Sequence, residues 1–331
     1  MKNILTKIGG VAVLAAGVAA YSGVALAADY EIRLGHVTSD KEPVHQAMEE
    51  FAKNVGERTD GKVEISIFPN GALGTNLELY EQVRAGAPVM TAADPAYLAD
   101  FVADFGVLGG PYLIDDPRDF TKVVTSDLFA DMADRLRKET GIELLAMNWF
   151  FGQRHMLSDK PISSPADLDG MTFRVLPNKM WIETFGALGA RPTQLPWPEV
   201  YSGLSAGVVE AAEAPLPSIY GAKLHEVKKV VSLTGHFKAF TGLIMNADYL
   251  ASLPEDIQTV LKEEALAAGE FMTELMLTSQ EEWEKKLGDE GVTFNRDVDT
   301  EAFRQASLPV YDQFPDWTDG LHQQVIELLK Q

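Results

Sequence analysis

Apolar positions along this chain alternate between a two-residue and a three-to-four-residue rhythm. Tyr30-Glu31-Ile32-Arg33-Leu34 alternates as a strand and ends at Gly35-His36. From about Pro43 to Thr59 the period becomes helical, with Val44, Met48, Phe51, Ala52 and Val55 on one face, and Thr59-Asp60-Gly61 stops it. Val63 to Phe68 reads as a second strand, and a helix from about Leu77 to Ala85 leads to a short strand near Val89-Met90. A second round starts with strands at Glu143–Met147 and Arg154–Leu157. Ser164-Pro165 places a cap and a first-turn proline on a short helix that Gly170 ends. Thr172 to Leu176 is another strand, and Lys179 to Leu188 a helix. Such alternation predicts parallel α/β layers.

Pro254 to Leu287 differs. Ile257, Val260, Leu261, Ala265, Ala268, Met272, Leu275 and Trp283 recur at helical steps, without an internal proline. This predicts one unusually long helix, braced across two lobes. Gly269 is its only internal glycine before Gly288 and is a candidate point of compliance, or else a close packing contact.

The first 27 residues read as an address. Lys2 and Lys7 precede an apolar run from Ile8 to Ala20, and Ala25-Leu26-Ala27 offers a cleavage site before Ala28. The formal net charge is -21, and removing two lysines and no acids takes it to -23. A surface this acidic repels phosphate backbones, so nucleic acid is not an expected partner. With no cysteine there is no disulfide, thiolate nucleophile, iron–sulfur cluster or lipid-modified terminus. The expectation is an exported, soluble, periplasmic protein.

Little in the chain points to catalysis. Gly203-Leu204-Ser205-Ala206-Gly207 matches the nucleophile elbow of serine hydrolases, which requires a strand before the serine and a helix after it. Here Pro198-Glu199-Val200-Tyr201 reads as a helix start, leaving a secreted hydrolase using Ser205 as the alternative function. No metal-ligand spacing and no nucleotide-binding glycine motif appears, so no cofactor is expected. Two arginines stand out instead: Arg174 inside the apolar Thr172–Leu176 strand, and Arg154 in Gln153-Arg154-His155-Met156-Leu157. An inward arginine requires an anionic partner, whether an internal glutamate or a bound carboxylate or sulfonate. Trp197, between Pro196 and Pro198, presents its ring from a stiff loop, toward a ligand or a core edge.

The stretch from Thr172 to Pro215, with its Arg-containing strand, Leu-Gly-Ala turn and Pro-Trp-Pro-Glu-Val-Tyr helix start, resembles the solute-binding subunits of tripartite ATP-independent periplasmic (TRAP) transporters of the C4-dicarboxylate-binding, DctP type. Gly61–Gly74, Gly110–Asp116, Pro165–Val175, Ala222–His236 and Ser252–Gln258 carry further landmarks in the family's order. The resemblance implies an α/β, two-lobed periplasmic binding protein with a central ligand cleft and a long helix spanning both lobes. Lobe I is expected at 28–151 plus 240–279, and lobe II at 152–239 plus 280–331. Carried over position by position, it makes Arg174 the partner of the ligand's acid group. Arg154, Trp197, Asn76, Asp94, Glu213, Asn178 and His36 are further ligand-binding candidates. It implies capture of a small organic anion: a C4-dicarboxylate, a sugar acid, or a small sulfonate such as isethionate. Delivery is to the small and large TRAP membrane subunits, and the protein is not an enzyme. Three departures bear on the ligand. Glu213-Ala214-Pro215 stands where the family has Glu-Asn-Pro, Val209-Glu210-Ala211 replaces Val-Asp-Gly, and the proline after the arginine strand comes one residue late, at Pro177.

Overall fold

The computed structural model describes residues 28–331, so the leader and its cleavage site lie outside it. In chain order the strands are β1 (Tyr30–Gly35), β2 (Val63–Phe68), β3 (Val89–Ala93), β4 (Ile142–Ser158), β5 (Thr172–Val175), β6 (Arg191–Gln194), β7 (Ala212–Ala214), β8 (Val230–Asn246) and β9 (Thr293–Asn295). One sheet runs β2-β1-β3-β8-β4-β7 with β9 beside β8, and β5 pairs with β6 separately. The first three strands pair in parallel with helices between them, as the alternation predicts. So do β5 and β6 around the helix Lys179–Ala187.

The rest of the sheet is mostly antiparallel, β9 alone adding in parallel to β8. β3 with β8, β8 with β4 and β4 with β7 are all antiparallel. The two strands expected at Glu143–Met147 and Arg154–Leu157 are one 17-residue strand, β4, lying along the equally long β8. β8 has no polar alternation, because all but four of its positions are buried. The β4–β8 ladder slips in four places, one of them between Phe150 and Gly152, opposite Phe240 and Ala239. Gly152 has φ 126°, and a methyl there would lie 2.6 Å from Met276 Cε, so both conformation and space demand glycine.

The long helix is two. Glu255–Thr278 is followed, after a kink at Ser279, by Gln280–Asp289. The Thr278 hydroxyl bonds back to the Glu274 carbonyl at 2.7 Å, a side-chain competition with the helical ladder that favours a bend. The first segment packs on β4 and on the helix Pro43–Arg58, the second on the helix Leu216–Gly221. The apolar stripe runs on through the kink, which is why the sequence reads as one helix. Gly269 is a contact rather than a compliant point. A Cβ there would lie 2.2 Å from Asn148 Oδ1 and 2.5 Å from Trp149 Cδ1 on β4.

Hydrophobic residues form one large cluster and a smaller one around Leu157, Val200, Leu204, Leu216, Trp283 and Leu287. Among the described residues, no helix is long and apolar enough to cross a membrane.

Candidate functional site: a ligand cleft

β1 and β3 end at one wall of a cleft of about 100 Å³, where parallel strands characteristically deliver ligand-binding loops. That wall carries His36, Thr38, Asn76, Asp94 and Tyr97; the opposite one carries Arg154, Arg174, Trp181, Trp197 and Ser218. An outer chamber of about 200 Å³ shares Val37, Asn76, Tyr97 and Trp197 with it and adds Gln194 and three prolines.

Of the eight expected site residues, six line this cleft: His36, Asn76, Asp94, Arg154, Arg174 and Trp197. Glu213 and Asn178 do not. Glu213, on β7, lies wholly buried behind the arginines. Arg154 grips it bidentately, Nη2 donating to Oε1 at 2.9 Å and Nε to Oε2. Burial opposes the Glu213 charge, yet Arg154 and the neighbouring His236 hold its pKa at about 2. Asn178 caps the helix Lys179–Ala187, and its Nδ2 donates across the cleft's side to the Ala96 carbonyl at 2.5 Å.

The two arginines thus resolve differently. Arg154 forms the internal glutamate bridge and stacks its guanidinium 4.7 Å from the Trp181 ring. Arg174 is 1% exposed, and its Nε and Nη2 both donate to the Leu195 carbonyl, at 3.0 and 2.8 Å. Its Nη1 is buried without an acceptor, 3.9 Å from Glu213 Oε1. Burial lowers the Arg174 pKa to about 10 against the pull of Glu213, so the group remains cationic at neutral pH. Trp197 stands 5.5 Å from the same guanidinium.

On the facing wall, Asp94 accepts from the Ala96 amide at 2.8 Å through Oδ1, capping the short helix Pro95–Leu98. Burial raises its pKa. His36 engages both ring nitrogens, with Thr38 Oγ1 at 2.8 Å and His45 Nδ1 at 2.9 Å. Burial and then His45 lower its pKa to about 3, so the ring is neutral and offers the cleft its face. Asn76 opens the helix Asn76–Arg84, which Thr75 and Glu78 cap reciprocally.

Sequence reasoning missed Trp181, whose buried indole N–H has no acceptor, and the pair Glu42 and Ser218. Ser218 Oγ donates to Glu42 Oε2 at 2.5 Å, and the Ser39 amide donates to Oε1 at 2.9 Å, joining the two walls. Burial pushes the Glu42 pKa up to about 7. Nothing in the spacing around Trp181 separates it from an ordinary core tryptophan, and a lone Glu before Pro43 reads as a helix entry.

Ala214 is buried in the smaller apolar cluster rather than in the cleft, so the missing asparagine leaves no gap at the acid site. Ser205 is exposed at the end of the helix Val200–Ser205, ahead of Gly207 in the left-handed region. It is not on a strand-to-helix elbow, and nothing here supports the hydrolase alternative.

A sheet-based, two-lobed α/β chain with a cleft built around a buried, partly unsatisfied arginine is a solute-binding protein. The sequence pattern of bacterial extracellular solute-binding protein family 7, DctP, matches residues 34–316, and the chain belongs to that family. It is 30% identical over 307 residues to a solute-binding protein of Roseobacter denitrificans, covering 92% of this chain and 93% of the relative. A TRAP periplasmic solute-binding protein of Actinobacillus succinogenes with bound L-galactonate superposes with a TM-score of 0.88 at 31% identity, over 91% of this chain and 99% of that one. An apo open structure from Escherichia fergusonii, 32% identical and matched over 90% and 99%, gives 0.78. The family is one of solute-binding proteins by class.

Proposed function

We propose that this protein captures a small organic acid in the periplasm and hands it to the membrane subunits of a TRAP transporter, after removal of the leader between Ala27 and Ala28. The observation that carries the reading is Arg174, which lines the cleft and whose Nη1 is buried without a hydrogen-bond acceptor, 3.9 Å from Glu213 Oε1. A donor left unsatisfied in a dry site costs about 1–3 kcal/mol, and more when charged, so a ligand acid group that fills it gains that much. The Trp181 N–H is a second such donor.

The inner chamber, at about 100 Å³, is smaller than the roughly 150 Å³ cavity that holds benzene, so it suits the acid group and its first carbons. The outer chamber past Trp197 takes the remainder of a longer acid, such as the L-galactonate bound by the similar Actinobacillus protein. We take lobe I as 28–151 plus 240–279 and lobe II as 152–239 plus 280–331; the ladder slip between Phe150 and Gly152 supports a junction there. Ligand favours the closed form because only that form brings both walls to it.

A thermal-shift screen of the mature protein against sugar acids, short hydroxy acids, C4-dicarboxylates, isethionate and phosphate esters tests this. A dose-dependent rise in melting temperature with a carboxylate is expected. A response confined to isethionate places the headgroup as a sulfonate, and no response to any anion overturns the reading.

A further inference from the structure

The charges around the cleft are already nearly balanced before any ligand arrives. Arg154 is spent on Glu213 through two nitrogens. Lys238 borders the cleft but turns its Nζ to the Ile114 carbonyl at 3.1 Å. Arg174 Nη1 is buried without an acceptor, and Arg154 Nη1 makes no hydrogen bond to the described residues. Against these three cations stand Glu213 and, on the opposite wall, Asp94, leaving one net positive charge. Any ionised Glu42 reduces that balance further.

Asp94 is also chemically unfinished. Oδ1 is committed to the Ala96 amide, while Oδ2 accepts no hydrogen bond from the described residues, and no lysine or arginine forms an ion pair with it. A carboxylate there repels a second anionic group and attracts a donor.

We propose, resting on the organic-acid reading above, that this site selects monoanions carrying a hydrogen-bond donor, a hydroxyl or ammonium beyond the acid group, and rejects dicarboxylates. Asp94 is the residue that sets this choice: it accepts from the ligand's donor while Arg174 and Trp181 hold the acid group. A dianion would place its second charge in a confined, largely apolar cleft facing a carboxylate, and an unpaired charge in such a place is very costly. An acid with no hydroxyl would leave Asp94 Oδ2 desolvated and unpaired, the situation by which polar sites reject analogues lacking the matching group.

Calorimetry on the mature protein with two matched series tests this: L-galactonate, galactarate and hexanoate, and glycerate, tartronate and propionate. In whichever series binds, the hydroxy monoacid is expected to bind at least 30-fold more tightly than either the dianion or the unhydroxylated acid. Asp94→Asn keeps an Oδ1 acceptor for the Ala96 amide, so the local helix cap survives. It is expected to shrink the penalty on the dianion at least tenfold. Dianion affinity equal to or above that of the hydroxy monoacid overturns the proposal, as does an unchanged ratio in Asp94→Asn. Binding of unhydroxylated acids as tight as that of their hydroxy partners overturns the donor requirement. If neither series binds while isethionate or a phosphate ester does, the selection of hydroxy monocarboxylates fails and the anion-carrier reading stands. If no anion binds, the carrier reading itself fails.

Discussion

The Leu195 carbonyl oxygen holds Arg174 by two guanidinium nitrogens at once, Nε and Nη2. That grip fixes the plane of the fork, with Nη1 left without an acceptor 3.9 Å from Glu213 Oε1. Arg174→Lys keeps the charge and loses the grip, because an ammonium is a point donor on a flexible stem. Ligand affinity should weaken clearly in Arg174→Lys, and should fall by about 2–5 kcal/mol in Arg174→Ala, which removes one side of a desolvated charged pair. Calorimetry that finds Arg174→Ala within threefold of wild type would refute the assignment of Arg174 to the acid group.

Glu213→Gln should unfold the protein more easily rather than alter specificity. Arg154 and Arg174 would be left buried without their shared carboxylate, and breaking a buried pair in this way costs about 3–5 kcal/mol. The Glu213 pKa, about 2, lies below its ordinary 4.5, so the folded form favours the ionised group. Its stabilisation is complete above pH 4.5 and is lost as pH falls toward 2. Urea titrations at pH 7 should show the defect, and an unchanged midpoint there counts against it.

Glu42 gives the opposite slope. Its pKa of about 7 lies above its ordinary 4.5, so folding favours the protonated carboxyl. That contribution is complete below pH 4.5 and declines as pH rises to 7, a change of about 3 kcal/mol at 1.36 kcal/mol per unit. Glu42→Gln keeps one acceptor oxygen for the Ser39 amide, can donate its NH2 to the Ser218 hydroxyl oxygen, and has no proton to lose. Its melting temperature relative to wild type should rise between pH 5 and pH 8. A constant difference across that range would show that Glu42 does not titrate there.

Gly269→Ala is expected to destabilise the protein by about 1–3 kcal/mol, the usual cost of overpacking, because its methyl would strike Asn148 and Trp149. Trp149 Nε1 donates to the Ala265 carbonyl at 2.8 Å and Asn148 Nδ2 to that of Leu266 at 3.0 Å, so the helix cannot simply lift away. A variant that melts at or above the wild-type temperature would restore Gly269 as a point of flexibility.

The local elements were legible where one face is wet and the other dry. β1, β2 and the helix Pro43–Arg58 show their periods plainly, and the structure forms them within a residue or two of expectation. β8 was not legible, since a strand buried on both faces carries no period to read. The kink at Ser279 was invisible for the converse reason: the stripe persists while the packing partner changes. At the site, Arg174 stood out as an arginine inside an apolar strand, while Asp94 came from position in the family pattern. The pairing of Arg154 with Glu213 needed three-dimensional proximity across 59 residues.

Thr91 of β3 pairs with Ile244, and Ile142 of β4 pairs with Asn246, so the late strand β8 is the seam between two sets of strands made before it. More than two-thirds of the chain precedes Val230. Until that strand has been synthesised, β3 lacks its neighbour on one side, β4 has no partner but β7, and no sheet joins them. Pairings this distant form slowly, because the intervening loop must close before any contact rewards it. A fragment truncated anywhere before β8 therefore exposes unpaired, apolar strand edges, the template on which chains aggregate. Neither lobe is a folding unit of its own. The molecule folds as a whole, and late.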